Sequence, residues 1–450
     1  MSMKDYAAQL AAKSTPQTQP IPGDRGARQV KNHAGGYAFA VDDWDRLDRF
    51  LILGSSGGTY YASGTKMTRG NVGAVMRLLK VDGNAVVNRT VVISQAGRAP
   101  RNTPAIFALA VAAAYGDQST RQHALNMLPE VCRTGTHLFE FLEAVTSMRG
   151  WGRGLRRAVA NWYQDKTPDK LALQLAKYQQ RGGWSHRDVL RLAKPVPADN
   201  AHASLYAWAT GKETTVLPDL LMAVEDLKRA DLSKERKAQI IVDYRVPREC
   251  VPSELLNDAG IWHALLVGMP MTAMVRNLGK MTSVGTLKPM GSPGAGYVVR
   301  QLRDVDYLRK SRIHPVQLLL AMKTYQLGHG IKGSLKWNPV PEIVDALEEA
   351  FYAAFGNLEP TGKRTLIGVD VSGSMGWDSI PNIPLTAAEG AAAMAMVTMR
   401  SEPQAYAFGF ADTFRNLGIT ANQNLDTVLQ KTRGMNFGAT DCAVPMLHAL

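Results

Sequence analysis

The residues predict a mainly α-helical chain that ends in an α/β region, and three observations carry that prediction. From about residue 30 to 355, apolar residues recur at helical spacing between short breaks rich in Gly, Pro, Ser and Asp. After the polar segment "EPTGKR" at 359–364 the period changes and strand-like runs begin. Strand and helix patterns then alternate, which is the order of a parallel, doubly wound sheet.

The helical part shows its punctuation most clearly in "TPDKLALQLAKYQQRGG". Thr167 stands at the cap, Pro168 takes the first helical position, and Leu171, Leu175 and Tyr178 mark an apolar stripe that Gly182 and Gly183 end. The next helix opens with "WSHRDVLRLA". Here Ser185 caps, Asp188 closes an S-x-x-D capping box, and Trp184 can staple onto Val189. Two helices therefore meet at a tight turn. Such pairs recur without a strict repeat, as in stacked helical hairpins of the HEAT or armadillo kind, with a compact helical bundle as the alternative.

In the α/β region, Leu366, Ile367, Val369 and Val371 of "TLIGVDVSGSMGWDS" read as a central strand buried on both faces. Asp370, Ser372 and Ser374 then fall at its carboxyl end, the edge where open α/β sheets bind ligands. A helix in "PLTAAEGAAAMAMVTMR" follows, then a strand in "AYAFGFAD" at 405–412, a helix near "NLDTVLQK" and a loop "GMNFGATD" that carries Thr440. Asp370, Ser372, Ser374 and Thr440 are hard oxygen donors on neighbouring strand ends, the set a Mg²⁺-like divalent cation prefers. The plainer reading of 370–374 is an Asp, Ser and Gly turn after a strand.

Composition narrows the partners. The 450 residues hold 52 Lys and Arg against 39 Asp and Glu, a formal charge of +13 and a pI near 9.6. That balance favours a polyanionic partner, and a merely basic surface is the alternative. Cys132, Cys250 and Cys442 are few, widely spaced and odd in number, against a disulfide framework or zinc site and in favour of a reducing compartment. The longest apolar stretches, such as "FALAVAAAY", fall far short of the roughly 20 residues that span a bilayer. Residues 1–27 lack the apolar core of a signal peptide and read as a flexible arm, which places the protein in the cytoplasm.

Enzyme motifs fail on inspection. "LGKMT" has Met274 where a phosphate-binding loop needs its first glycine, and Met281 where it needs Ser or Thr. "PGAGYVV" has Val299 in place of the last glycine of G-x-G-x-x-G. Ser372 stands where a D-x-D phosphotransferase would carry its second carboxylate, and "VSGSMG" is no nucleophile elbow. The chain reads as a binding protein and not an enzyme.

The D-x-S-x-S of 370–374, followed by the G-x-T-D around Thr440, resembles the metal-ion-dependent adhesion site of von Willebrand factor A domains. Longer blocks, among them "RFLILGSSGGTYY", "VCRTGTHLFEF", "GWGRGLRRAVANWY", "KYQQRGGWSHRDVLRL", "MTAMVRNLGKMT" and "RIHPVQLLLAMKTYQLGHGIKGSLKW", resemble the TROVE family from about residue 28 onward. The resemblance implies a ring of HEAT-like repeats over 28–358, its ends joined by a von Willebrand factor A-like domain at 359–450. Only the amino-terminal half of that domain is within the sequence. The third metal loop and later strands lie outside it, so the chain is expected to be a carboxyl-terminal truncation.

By resemblance the partners are small non-coding Y RNA on the outer ring surface, single-stranded 3′ ends of misfolded RNA in the ring cavity, and an RNA-processing nuclease. The chain is expected to act as a monomer in RNA quality control, away from membranes. The competing class is a protein-binding adaptor whose metal site captures a partner carboxylate.

Candidate RNA contacts cluster at two places. His186 and Arg187 take the first helical positions after Ser185, where free N–H groups and the helix dipole favour a phosphate. Lys177 and Arg181 lie four apart near the preceding helix end, with Tyr178 and Trp184 close enough to stack bases or simply to fill the core. Arg276 and Lys280 are also four apart and share a helical face. Arg133, His137, Arg153, Arg156 and Arg157 are weaker candidates.

Overall fold

The computed structural model describes residues 19–20, 28–31, 36–54, 64–214, 216–376, 380, 382–411, 413–433, 440, 442 and 444–449, without the side chains of 64–71, Ser374 and Leu447. All but residues 19–20 of the expected arm at 1–27, and most of the loop before Thr440, therefore lie outside the described residues. The chain forms two compact units, one of residues 17–232 with 246–251 and one of 233–245 with 252–450.

The first unit opens with a short antiparallel pair, β1 (Gln29–Lys31) and β2 (Tyr37–Phe39), and continues as helices. These are α1 (Asp43–Leu53), α2 (Gly64–Gln95), α3 (Thr103–Tyr115), α4 (Gln118–Asn126), α5 (Leu128–Val131) and α6 (Gly135–Met148). Then come α7 (Arg153–Gln164), α8 (Pro168–Lys177), α9 (His186–Ala193), α10 (Asn200–Thr210) and α11 (Asp219–Lys228). Helix α3 contains the "FALAVAAAY" run. It is apolar all round, and from Pro104 to Ala114 every residue except Phe107 is buried, as expected of a helix enclosed by others. It packs against α2, α4 and α6. Helix α2 breaks at Asp82, whose backbone is extended and whose Oδ1 accepts from the Ala85 N–H at 2.9 Å, so the second half starts with its own cap.

The helix predicted to run up to Gly182 is shorter than its sequence pattern. Helix α8 stops at Lys177, and a two-residue hairpin of β3 (Gln180–Arg181) and β4 (Trp184–Ser185) joins it to α9. Gly182 and Gly183 have φ of +55° and +79°, the left-handed backbone such hairpin turns demand. A Cβ on Gly182 would also stand 2.3 Å from Glu143 Oε2.

The second unit contains α12 (Lys234–Asp243), α13 (Ala259–Val267), α14 (Met271–Ser283), α15 (Pro293–Arg303), α16 (Val305–Ser311), α17 (Pro315–Gln326) and α18 (Pro341–Ala353). The α/β region follows within the same unit, with β5 (Thr365–Asp370), α19 (Ala387–Ser401), β6 (Ala405–Phe410), β7 (Phe414–Asn416), α20 (Leu425–Arg433) and α21 (Val444–Ala449). Strands β5 and β6 pair in parallel, Thr365 opposite Ala405 through Asp370 opposite Phe410. Strand β7 runs antiparallel to β6, because three intervening residues can close a hairpin but not a crossover.

Strand β5 is less enclosed than its sequence implies. Val369 and the following Val371 are buried, but Leu366 and Ile367 are half-buried. The described sheet has the order β5-β6-β7, which leaves β5 on its edge. Helix α19 starts with a complete capping box, Thr386 to Glu389, and packs on β5 and β6. Its last turn is tied to α18 by Arg400. That guanidinium lies 4.9 Å from the Tyr352 ring centre and 4.8 Å from that of Phe355, and it donates to the Gln423 carbonyl at 3.0 Å.

Replacing Arg400 with Ala removes both cation–π contacts and this hydrogen bond, a loss of about 1–3 kcal/mol. Hydrogen exchange is expected to speed up in α19, β5 and β6 while the helices of the first unit keep their protection. Uniform change across both units would show that Arg400 does not act locally.

Candidate nucleic-acid interface and metal site

The hairpin between α8 and α9 is held from beneath. Ser185 Oγ accepts from the Asp188 N–H at 3.3 Å, and Asp188 Oδ2 accepts from the Ser185 N–H at 3.1 Å, completing the predicted capping box. This arrangement sets where the cations stand. Arg181 and Arg187 are exposed, and Lys177 is half-buried with its Nζ 5.7 Å from the Tyr178 ring centre. Arg181 also reaches Glu140 at 3.7 Å. Because the arginine side chain of that pair is 62% exposed, the ion pair is weak and leaves the guanidinium available to another anion.

His186 is the correction. The sequence places it at the helix start among phosphate contacts, but the side chain turns inward and is only 4% exposed. Its Nε2 faces the Gln174 carbonyl at 3.2 Å, an atom that can only accept, so Nε2 carries the proton. Nδ1 then accepts from the Tyr163 hydroxyl at 2.7 Å. Phe139 meets the imidazole edge-on at 4.8 Å and Trp162 stacks at 6.5 Å. Burial, reinforced by the nearby Lys166 charge, lowers the imidazole pKa to about 4, so the ring is neutral at physiological pH. His186 holds the hairpin in place from the core and is not a surface contact.

Arg276 and Lys280 lie on α14 in the second unit, so the six predicted contacts divide four and two between the units. Arg276 is exposed; Lys280 is half-buried and donates to Asn257 Oδ1 at 2.9 Å. An ammonium has three donors, so two remain for a phosphate. Among the weaker candidates, Arg133 is occupied by Ser94 Oγ and the Glu130 carbonyl, whereas Arg153, Arg156 and Arg157 are exposed on α7. Sequence spacing could not separate these cases, because it does not reveal which side chains have partners.

At the carboxyl end of β5, Asp370 Oδ1 accepts from the Ser372 N–H at 2.9 Å, and a 3₁₀ turn at Gly373–Gly376 follows. A cleft of about 270 Å³ opens there, lined by Asp370, Ser372, Met375, Ala388, Thr432 and Arg433 among others. Of the predicted donors, Asp370 and Ser372 are brought together. The Ser374 side chain lies outside the described residues, and Thr440 is exposed and is not among the described residues that line the cleft. Among the described residues no three His, Cys, Asp or Glu side chains are grouped to hold a metal. One carboxylate beside hydroxyls suits a hard, hydrated cation such as Mg²⁺, which keeps several waters and needs few protein ligands. Arg433 contributes a positive charge to the same wall.

Fold and site together define a helical protein that carries an A-type α/β domain, with solvent-facing cations on its helices and a polar cleft at a strand end. Comparison with known proteins makes this specific. The TROVE domain matches residues 30–241 and 242–325, and the Ro60 vWA domain matches 364–450. The chain is 40% identical over 452 residues to the RNA-binding protein RO60 of Deinococcus radiodurans, covering 99% of this chain and 84% of that one. It is 35% identical to the RNA-binding protein RO60 of Caenorhabditis elegans, over 94% of this chain and 77% of that one. The crystal structure of the Deinococcus radiodurans RO (RSR) protein superposes with a TM-score of 0.82 at 39% identity, covering 91% and 83% of the two chains. The chain belongs to the TROVE domain family.

The state of His186 yields a pH prediction. An unfolded imidazole protonates below about pH 6.5, whereas the folded one resists until about pH 4, so the unfolded chain takes up the proton first. Stability should therefore fall through that window by about 3 kcal/mol from this group. His186→Gln should be less stable than wild type at pH 7 but lose correspondingly less between pH 6.5 and 4 in urea titrations. Parallel pH profiles would show that the ring is not buried neutral.

Proposed function

We propose that the protein binds RNA and takes part in RNA quality control as a binding protein without catalytic activity. The observation that carries this reading is a likeness extending over 99% of the chain to a protein named as RNA-binding, in a molecule whose exposed hairpin and α14 present cations. Small non-coding Y RNA is the proposed ligand of the outer surface. Single-stranded 3′ ends of misfolded RNA are the proposed ligands of the ring cavity that the family resemblance implies. Lys177, Arg181 and Arg187 on the first unit, and Arg276 and Lys280 on the second, would each neutralise phosphates while His186 keeps the hairpin in shape. The A-type cleft would hold a divalent cation, Mg²⁺ by the chemistry of Asp370 and Ser372, with Ser374 and Thr440 as the further donors that the family resemblance implies. An RNA-processing nuclease is the proposed protein partner, and the proposed setting is the cytoplasm, with the chain acting as a monomer.

Two experiments test this. Each lost phosphate contact should shallow the dependence of log affinity on log salt by about 0.7 for a single strand. Arg187→Ala with Lys280→Ala should therefore reduce the slope by roughly 1.4 for an RNA with a free 3′ tail, and leave a blunt duplex nearly unaffected. An unchanged slope would place both residues outside the interface and bring the protein-adaptor reading forward.

For the cation, Asp370→Ala should weaken Mg²⁺ binding by about tenfold or more in calorimetry with RNA affinity retained. Unaltered Mg²⁺ binding would remove the cleft as a metal site, and joint loss of RNA binding would show that the two sites are coupled.

A further inference from the structure

Two shallow depressions on the first unit adjoin at Asn88 on α2, and together they are treated as one groove. The first is lined by Asn84, Asn88, Gln118, Ser119, Gln122, His123 and Asn126, from α2 and α4. Among these residues His123 is the only one that could carry a charge. The second runs between α1 and α2, past Trp44 and Val92, beside Asp48 and Arg89, which pair with each other. Asp45 adds a carboxylate at that end, which disfavours a phosphate there.

The amides are held in place. His123 Nε2 and Asn88 Oδ1 are 2.7 Å apart, Asn84 Nδ2 donates to Ser119 Oγ at 3.1 Å, and Gln122 Nε2 donates to Asn126 Oδ1 at 2.9 Å. These bonds leave Asn84 Oδ1 and Gln122 Oε1 as acceptors and Asn88 Nδ2 and Asn126 Nδ2 as donors. Uncharged donors and acceptors from neighbouring amides, fixed side by side, match the donors and acceptors along nucleobase edges, which Asn and Gln commonly contact. From Asn84 to Val92 the helix rises about 12 Å, the length of three stacked bases at about 3.4 Å each with room at the ends.

Backbone contacts are available next to the amides. Helix α7 packs on α4, with the Cβ position of Gly154 standing 3.3 Å from Leu125 Cδ1. Arg153, Arg156 and Arg157 of α7 are exposed, and none forms an ion pair among the described residues. Trp44 lines the far end of the groove, where an indole can take a base on its face.

We infer that this groove reads unpaired bases of single-stranded RNA, with the amides of α2 and α4 on base edges, Trp44 under a base, and the α7 arginines on the flanking phosphates. The inference rests on the RNA-binding reading above but uses none of the residues tested there.

The test compares two twelve-nucleotide probes on the full chain, one of mixed-sequence RNA and one an abasic ribose-phosphate strand of equal charge. Asn84→Ala, Asn88→Ala and Gln122→Ala combined should weaken binding of the base-bearing probe about tenfold, leave the abasic probe within twofold, and keep the salt slope unchanged. Those three side chains are exposed, so an unaltered melting temperature is expected and the triple variant carries the test if Trp44 variants fold poorly. Trp44→Leu should cost about five- to tenfold on the base-bearing probe only, with Trp44→Phe restoring most of it. Arg153→Ala with Arg156→Ala should weaken both probes and shallow the slope. Equal losses on both probes from the amide variant, or no loss on either, overturn the groove as a base reader while leaving RNA binding intact. Failure of the wild-type chain to bind any RNA overturns both readings.

Discussion

The hairpin that carries the cations depends on a neutral histidine in the core. His186 joins three helices through two hydrogen bonds, to Tyr163 of α7 and to the Gln174 carbonyl of α8, while itself opening α9. Phe139 of α6 closes the fourth side. A buried imidazole with both nitrogens satisfied leaves no polar atom stranded, whereas a charged one would bear a large desolvation cost. The same cluster extends through Trp162, whose indole N–H donates to the Cys132 carbonyl and whose ring lies beneath Lys166 Nζ at 3.4 Å. Burial also lowers the Lys166 pKa, to about 8. The region is therefore a polar network enclosed by aromatic rings, and its stability should be tied to pH more closely than that of an apolar core.

Close approach at this site also explains two glycines. Gly135 starts α6 against the imidazole, where a Cβ would lie 2.9 Å from His186 Nε2. Gly182 combines a positive φ with the Glu143 carboxylate 2.3 Å from its Cβ position. A Cβ at Gly135 would press on the buried His186 ring, whereas at Gly182 the left-handed backbone disfavours a side chain and the nearby Glu143 carboxylate is the mobile end of an exposed one; Arg181 and Arg187 are thus presented by a constrained turn. A preorganised cation loses less entropy on meeting a phosphate than one on a mobile loop.

The α/β region is organised around different contacts. Asp370 bonds the Ser372 N–H and turns the chain at the strand end, and Glu389 caps α19 while Lys323 of α17 approaches its carboxylate at 3.3 Å. Ala388, next to that capping glutamate, lines the Asp370 cleft. Charge placed in the cleft would thus be felt at the start of α19, within the same unit as the helices α17 and α18. Arg400 anchors the other end of α19 between Tyr352 and Phe355.

Much of this was legible in the sequence by itself. Caps and breakers act over a few residues, so Pro168 at a helix start, the Ser185 to Asp188 box and the strand that leads into the Asp370 turn could be read directly, as could the change of period after 364. The family could be read from its long matching blocks. Tertiary structure decided what depends on neighbours remote in the chain. It turned His186 inward, because the cavity formed by Tyr163, Phe139 and Gln174 is built from three other helices. It shortened α8, because two glycines with positive φ close a hairpin against Glu143. It also left Leu366 and Ile367 only half-buried, because β5 stands at the edge of the described sheet. Local sequence determines where elements begin and end; burial and hydrogen-bond pairing are set by the surfaces that elements present to one another, and no window of sequence contains those.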